Sequence, residues 1–437
     1  MGFAALIKKK AHGFSVHLFG REIVEASVSW VDAKTLWQMS DRILTFLLAV
    51  FIFLNTIPHT TSIKEFCFYP SLCVFVILIV RRNISLVWRS PLVMPLALLT
   101  IWSFLSIFFA LNPLESLSDF FSHWLKYIGL YLLLTHLFAD FKGLSLLAWL
   151  AAASGALYSI AAMVIWYFIM DHPLDSRMGD FKSMGLTIAG FLMLQTLFFA
   201  LHLVGQERSK VKKWALGTMV LIVLTGAALS QSRGTLLALG LSLTVFYIHR
   251  IWRILIIWGT ILSLTLVLPA LKAKLYHGGL QLEIRSGLFY YSLEIIKDYP
   301  IIGTGFAIDT FRDPQQIDPD KYLARIPEQY RHPVHPYWWP HNMFLSVGVR
   351  LGLVGVVLMA YLWIMALQWA WRLARQGTDF KIREWGRCIG ALLVMFFTKA
   401  MFDPFETHMV ETMLFTFLSM LTVAWRQNQS LSGLSTQ

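Results

Sequence analysis

The sequence predicts an all-α polytopic membrane protein of about twelve transmembrane helices, with one long extramembrane loop containing short helices between spans nine and ten. Three observations predict this. The 437 residues are 57% hydrophobic and only 14% charged, too little polar surface to cover a soluble domain of this length. Apolar runs recur near the length that crosses a hydrocarbon core, roughly 20 residues with a range of about 17 to 25. Lys and Arg crowd into every second connection, as they do where cytoplasmic loops retain positive charge.

Residues 1–41 carry Lys8, Lys9 and Lys10, but the apolar run after them starts only near Ile43 and lacks a small-residue cleavage site. They read as a cytoplasmic N-terminal extension rather than a signal peptide. Apolar runs then follow at 42–58, 66–80, 92–111, 123–138, 144–170, 185–204, 214–230, 234–249, 252–271, 351–371, 386–402 and 408–425. Pro70 and Lys126 interrupt the second and the fourth of them. With the N-terminus inside, alternate connections hold Arg81, Arg82 and Arg89; Lys142; Arg208, Lys210, Lys212 and Lys213; Arg250 and Arg253; and Arg372, Arg375, Lys381, Arg383 and Arg387. The short connections on the other side hold almost none. The expected layout is spans one to nine over 42–271, a loop subdomain over 272–350, spans ten to twelve over 351–425, and a cytoplasmic tail over 426–437.

The connection from Lys272 to Arg350 holds nine Lys or Arg yet falls outside, which long loops are free to do. Within it, Leu282 to Asp298 has helical spacing, with Ile284, Leu288, Leu293 and Ile296 as apolar members. Pro300 ends that helix and Gly303-Thr304-Gly305 turns the chain. A Pro-rich polar segment, the aromatic cluster Tyr337, Trp338 and Trp339, and then His341 and Asn342 complete the loop.

A net charge of +12 and a pI near 9.6 would suit nucleic acid in a soluble protein. Here the basic residues are topology determinants and lipid contacts, so membrane lipids are the expected partners and nucleic acid is not. Seventeen Trp and fourteen Tyr fit repeated passage through headgroup regions. Cys67, Cys73 and Cys388 show no metal-ligand spacing. His332 and His335 lie near His341, but intervening prolines break any regular ligand set, so no metal site and no cofactor are expected.

Arg233, in Ser230-Gln231-Ser232-Arg233-Gly234, begins a helix with almost no loop before it. Free N–H groups and the helix dipole favour an anion at such a point, phosphate above all. The competing reading is an arginine snorkelling to headgroups. Arg285 offers a fork that can grip phosphate, or it is a solvated arginine on an amphipathic helix. Arg177, in Asp175-Ser176-Arg177-Met178-Gly179, offers the same choice in the outside loop before span six. His341 lies between Pro340 and Asn342 where the long loop re-enters the membrane. It is either a general base, with an ordinary pKa of about 6.5, or a hydrogen-bonded interfacial histidine. Asp403, Glu406 and His408 fill the outside turn before the last span, and Asp403 is spaced to pair with Lys399. The topology puts Arg177, Arg233, Arg285, His341 and Asp403 on one side of the membrane. That is a site for an anionic head on a lipid-embedded molecule.

Three stretches carry a resemblance to the O-antigen ligase and polymerase superfamily of bacterial polysaccharide enzymes. They are Ser230-Gln231-Ser232-Arg233-Gly234-Thr235; Arg285 through Asp298-Tyr299-Pro300 to Gly303-Thr304-Gly305-Phe306; and Pro340-His341-Asn342-Met343-Phe344-Leu345 with Gly348, Gly352 and Gly355. They cover the C-terminal half, whereas the N-terminal half matches only as a helix count. The resemblance implies a metal-independent, inverting glycosyltransferase of the bacterial inner membrane with a periplasmic site and an undecaprenyl-pyrophosphate-linked glycan as donor. By motif match Arg233 and Arg285 would hold the pyrophosphate and His341 would deprotonate the acceptor, with Arg177, Asn342 and Asp403 in support. Arg177 is followed by Lys182-Ser183-Met184-Gly185 where family members often have an Asn-Pro-Asn-like stretch.

A single long outside loop leans towards the ligase, with the lipid A-core of lipopolysaccharide as acceptor. The alternatives are a polymerase using a second lipid-linked repeat, and a protein-glycosylating member. A flippase for lipid-linked sugars is less favoured, because no internal repeat is found and the charges cluster at helix ends rather than at midplane depth.

Overall fold

The computed structural model describes residues 33–82, 89–173, 176, 178, 186–267, 279–331, 339–403 and 405–433. Among them the regular elements are all helices. They are α1 (Ala33–Leu54), α2 (Thr61–Arg82), α3 (Val93–Ile107), α4 (Pro113–Asp119), a π-helical stretch (Phe120–Leu125), α5 (Lys126–Leu137), α6 (Phe141–Val164) with a π-helical end (Ile165–Ile169), α7 (Leu186–Gln206), α8 (Lys210–Leu229), α9 (Arg233–Phe246), α10 (Ile251–Val267), α11 (Gly279–Asp298), α12 (Pro319–Leu323), α13 (Met343–Gln376), α14 (Phe380–Ala400) and α15 (His408–Leu431). The chain divides into two units, Met1–Arg42 and Ile43–Gln437. The described part of the first is the opening of α1.

Among the described residues a helix forms on each of the twelve apolar runs, and six of these helices are long and apolar enough to cross a membrane: Thr61–Val80, Phe141–Ile169, Ala189–Gln206, Lys210–Leu229, Met343–Gln376 and His408–Leu431. Val93–Ile107, Arg233–Phe246 and Ile251–Ser263 are apolar but shorter. Large apolar side chains point outward from α2, α8 and α10, with Val80 77%, Val211 78% and Trp252 76% exposed. Such surfaces are stable against lipid tails and costly against water.

The last helix is the most enclosed: every residue from Val410 to Trp425 is buried. Polar residues survive there because Thr412, Thr416 and Ser419 each donate to the carbonyl four residues back, at 2.7, 2.7 and 2.6 Å. Lys126, the charge that interrupts the fourth run, is buried and neutralised at 2.5 Å by Glu65 of α2.

Helix α13 begins at Met343, inside the expected loop, and is broken at Gly352 (φ 66°, ψ −170°), backbone that essentially only glycine adopts. The break frees three carbonyls, and each finds a donor. Thr304 N–H donates to Val349 O at 2.8 Å, Gly305 N–H to Arg350 O at 3.0 Å, and the Trp102 indole to Leu351 O at 2.9 Å. The Gly303-Thr304-Gly305 turn is therefore a plug for the broken helix, satisfying backbone that lipid could not.

The connection before α13 has a small core of its own. Leu288, Tyr291, Ile295 and Ile296 of α11 meet Phe311, Ile317, Tyr322 and Ile326, and Leu345 and Val349 of α13 close the cluster. Of the apolar positions expected on α11, Leu288 and Ile296 lie in this core and Ile284 and Leu293 pack against it. Asp298 staples the end of α11 to α12 and beyond, accepting from Lys321 at 2.7 Å, Arg325 at 2.7 Å and the Tyr322 hydroxyl at 3.0 Å. These donors hold its carboxyl well below the usual carboxylate range. Asp298→Asn is expected to cost this subdomain about 1 kcal/mol, the partners being partly solvated. Limited proteolysis within 299–331 should become faster. Because the carboxyl's pKa is depressed, its contribution is present near neutrality and lost only in strong acid, so the difference between the two proteins should not vary from pH 6 to 8.

Candidate active site

The turn that ends α14 collects the predicted residues from four other segments. Lys399, fully buried, forms an ion pair with Asp403 and donates to Thr235 Oγ1 of α9 at 3.3 Å. The Met401 carbonyl accepts from Asn342 Nδ2 at 3.2 Å. Phe402 packs against Gly234, next to Arg233. Asp403, itself buried, faces the Arg285 guanidinium of α11 at 3.9 Å. Gly190 of α7 lets this assembly close up, since a Cβ there would come within 2.4 Å of Thr235 Oγ1 and 2.9 Å of Lys399 Nζ.

Two helices point their N-termini into this turn. Ser232 caps α9 by accepting from Thr235 N–H at 3.3 Å. Asn342 caps α13, accepting from Phe344 and Leu345 N–H at 3.0 and 3.1 Å. Both are side chains that compete well for free helical N–H groups. Asn342 therefore spends its oxygen on the cap and its nitrogen on Met401, which gives it a positioning role. Arg233, Arg285 and Lys399 bring positive charge to the elements that meet here, and two helix dipoles add to that field. An anion is the site's natural ligand.

His341 occupies left-handed backbone (φ 50°), uncommon for a residue with a side chain, and Gln231, two residues before Arg233, does the same (φ 46°). Non-glycine residues persist in such conformations where surrounding structure holds them, often at functional sites. His341 Nδ1 is buried and takes no hydrogen bond within the described residues. Burial, and then the nearby Arg285 charge, push the His341 pKa below 6.5, while the Asp403 carboxylate pulls it the other way. The imidazole is thus neutral at pH 7 and able to accept a proton.

The Lys399–Asp403 pair forms as its i, i+4 spacing predicts. Arg177 lies outside the described residues, as do His332 and His335. Two features went unread in the sequence. Arg350 is buried within α13, donates to the Phe306 carbonyl through Nε at 2.9 Å and Nη2 at 2.5 Å, and faces Glu406 at 3.8 Å. Glu406 also accepts from Ser346, so the turn carrying Asp403 is tied to the helix that follows His341. The signal was available, because a charge eight residues inside an apolar helix needs a partner. The second is a cluster in which His123 Nδ1 meets Glu411 at 2.8 Å and stacks on His408 with ring centroids 4.2 Å apart. Among the described residues, these three have ligand atoms close enough to hold a metal ion, within 4.8 Å of one another. The parallel rings, 11° between planes, and the Tyr127 hydroxyl on His408 Nδ1 at 3.0 Å work against convergence on one ion.

The O-Antigen ligase family model matches residues 218–360. The match covers about a third of the chain and contains Arg233, Arg285 and His341, while Lys399 and Asp403 lie beyond it. No curated protein matches the chain. Residues 218–360 are thus similar to the O-antigen ligase family, consistent with a member of the O-antigen ligase-like superfamily, whose members are membrane glycosyltransferase-like enzymes.

Proposed function

We propose that the protein is an O-antigen ligase, which moves a glycan from an undecaprenyl-pyrophosphate donor to the lipid A-core and so completes lipopolysaccharide. The observation that carries this is the single turn, Lys399 to Asp403, which binds together the helix start bearing Arg233, the loop helix bearing Arg285 and the segment bearing His341. A pyrophosphate needs arginines and free N–H groups, and an acceptor hydroxyl needs a neutral imidazole. The segments that carry both sets of groups adjoin this turn, which supports the reading.

In the proposed reaction His341 takes the proton from the acceptor hydroxyl, whose oxygen attacks the anomeric carbon from the face opposite the pyrophosphate. The bond from that carbon to the pyrophosphate oxygen breaks, configuration inverts, and undecaprenyl pyrophosphate leaves. Arg233 and Arg285 meet the charge that develops on the leaving oxygen, where preorganised donors contribute most. Arg285 suits this task because its 3.9 Å approach to Asp403 leaves its fork uncommitted and its side chain is 48% exposed. Arg177 would support the site as a third cation. Under this reading the chain crosses the bacterial inner membrane twelve times, with both termini cytoplasmic, the 272–350 subdomain in the periplasm and the site opening there.

The polymerase shares the donor and differs in acceptor. A reconstituted assay supplying the lipid-linked donor with either lipid A-core or a second lipid-linked repeat separates the two, and extension of the repeat alone would overturn the ligase assignment. Arg233→Lys is expected to lower kcat/KM for donor by on the order of tenfold or more, since a point charge does not reproduce a bidentate fork. Full activity in that variant would return Arg233 to a lipid-headgroup contact.

A further inference from the structure

A second site of buried charge lies at the same ends of the helices, away from the turn that carries Asp403. Lys64, in the first turn of α2, is 7% exposed, and its ammonium forms no hydrogen bond or ion pair among the described residues. It lines a small cavity together with Asn55, Thr61, Lys126, Tyr127 and His408. Glu65 also lines it, but that carboxylate is held by Lys126 at 2.5 Å, and Phe68, Tyr69 and Tyr127 surround the Lys126 ammonium with ring centroids 5.8 to 5.9 Å away. Among the residues lining the cavity two lysines face one carboxylate, and the next carboxylate, Glu411, is 3.9 Å from His408 and engaged by His123 at 2.8 Å.

A largely buried ammonium with no ion pair among the described residues is unfavourable, and such charges are kept for a partner. The surroundings suit an anion. The cavity receives the first residues of two helices, Thr61 of α2 and His408 of α15, where free N–H groups and the dipole add to the lysine. The walls are braced: Asn55 Nδ2 donates to the Met409 carbonyl at 3.0 Å and the Tyr127 hydroxyl donates to the His408 carbonyl at 3.0 Å.

The cavity shares a segment with the candidate active site. His408 follows Asp403 by five residues, which can span at most about 18 Å. A molecule of glycolipid size reaches both. We propose that the Lys64 cavity is a second anion subsite, binding a phosphate or carboxylate oxygen carried by the acceptor glycolipid while its sugar hydroxyl lies at His341. The identity of the carrier rests on the glycosyl-transfer reading, whereas anion binding at Lys64 does not.

The test uses the full-length protein in phosphatidylcholine nanodiscs and measures binding of bisphosphorylated lipid A, of enzymatically dephosphorylated lipid A and of inorganic phosphate. Wild type should hold the phosphorylated lipid about tenfold or more tightly than the dephosphorylated one, as one charge-assisted contact allows. Lys64→Met should abolish that difference, and Lys64→Arg, which keeps the charge, should retain most of it. Competition by inorganic phosphate would show that free phosphate suffices as ligand, and its failure to compete would assign the anion to the lipid. Equal wild-type binding of the two lipids overturns the proposal without any variant having to fold, and so does a Lys64→Met protein that still discriminates. Because binding is read without transfer, loss of the ligase assignment in the acceptor assay would leave this result standing.

Discussion

Replacing His341 by alanine should reduce glycan transfer by about two to four orders of magnitude, the usual contribution of a positioned base, and leave binding of the lipid-linked donor within a few-fold of wild type. In the proposed reading donor binding rests on Arg233, Arg285 and two helix N-termini, none of which the substitution removes. The pH profile gives a sharper reading. The imidazole must be neutral to accept the proton, and burial together with Arg285 moves its pKa below 6.5. The kcat/KM profile should therefore be flat through neutrality and fall on an acid limb centred below pH 6.5. Asp403 favours the charged imidazolium, so Asp403→Asn should move that limb to still lower pH, and Arg285→Gln should move the residual activity's limb upward. Shifts in the opposite senses, or wild-type transfer by His341→Ala, would remove His341 from the chemistry.

Gly352→Ala is the substitution expected to damage stability most. The residue sits at φ 66° and ψ −170°, and a Cβ there would lie 2.1 Å from the Ile301 oxygen, 2.3 Å from its carbonyl carbon and 2.7 Å from Ile302 N. These are backbone atoms with nowhere to move, because Leu353 N–H donates to Pro300 O at 2.8 Å on the same loop. Backbone strain of this class costs about 1 to 3 kcal/mol before the clash is added. The plug would be forced off the broken helix, leaving the Val349 and Arg350 carbonyls unsatisfied. A large fall in the melting temperature of detergent-purified protein is expected, with loss of transfer, since the nine-residue segment before the break carries the capping Asn342 beside His341. Gly205→Ala, at a position with open space around it, should change neither, and it controls for the general effect of losing a glycine. A Gly352→Ala protein as stable as wild type would show that the loop can leave the helix without penalty.

The same residues show why part of the site was readable and part was not. Arg233 and Asp403 stood out because charges beside apolar runs are rare, and the alternation of Lys and Arg put them on one side. Lys399 and Asp403 pair within one helical turn, so four residues of spacing predicted the contact. Arg350 with Glu406, His123 with Glu411, and Lys126 with Glu65 join residues 56, 288 and 61 positions apart. No local rule specifies such pairs. The early start of α13 was missed because hydropathy counts side chains, while the start is set by a cap at Asn342 and the discontinuity by the backbone of Gly352.

The sequence by itself determined that the chain is helical, that its solvent is largely lipid, and which side chains are too polar to be there without a purpose. Those conclusions need only period, length and composition, which are local properties. Tertiary structure decided which of those side chains act together. An ion pair or a phosphate cradle requires atoms within a few ångströms, and in a helical bundle that proximity is set by packing between segments: glycine against lysine at Gly190, an indole on a freed carbonyl at Trp102, and one turn after α14 to which four other segments are bonded or packed.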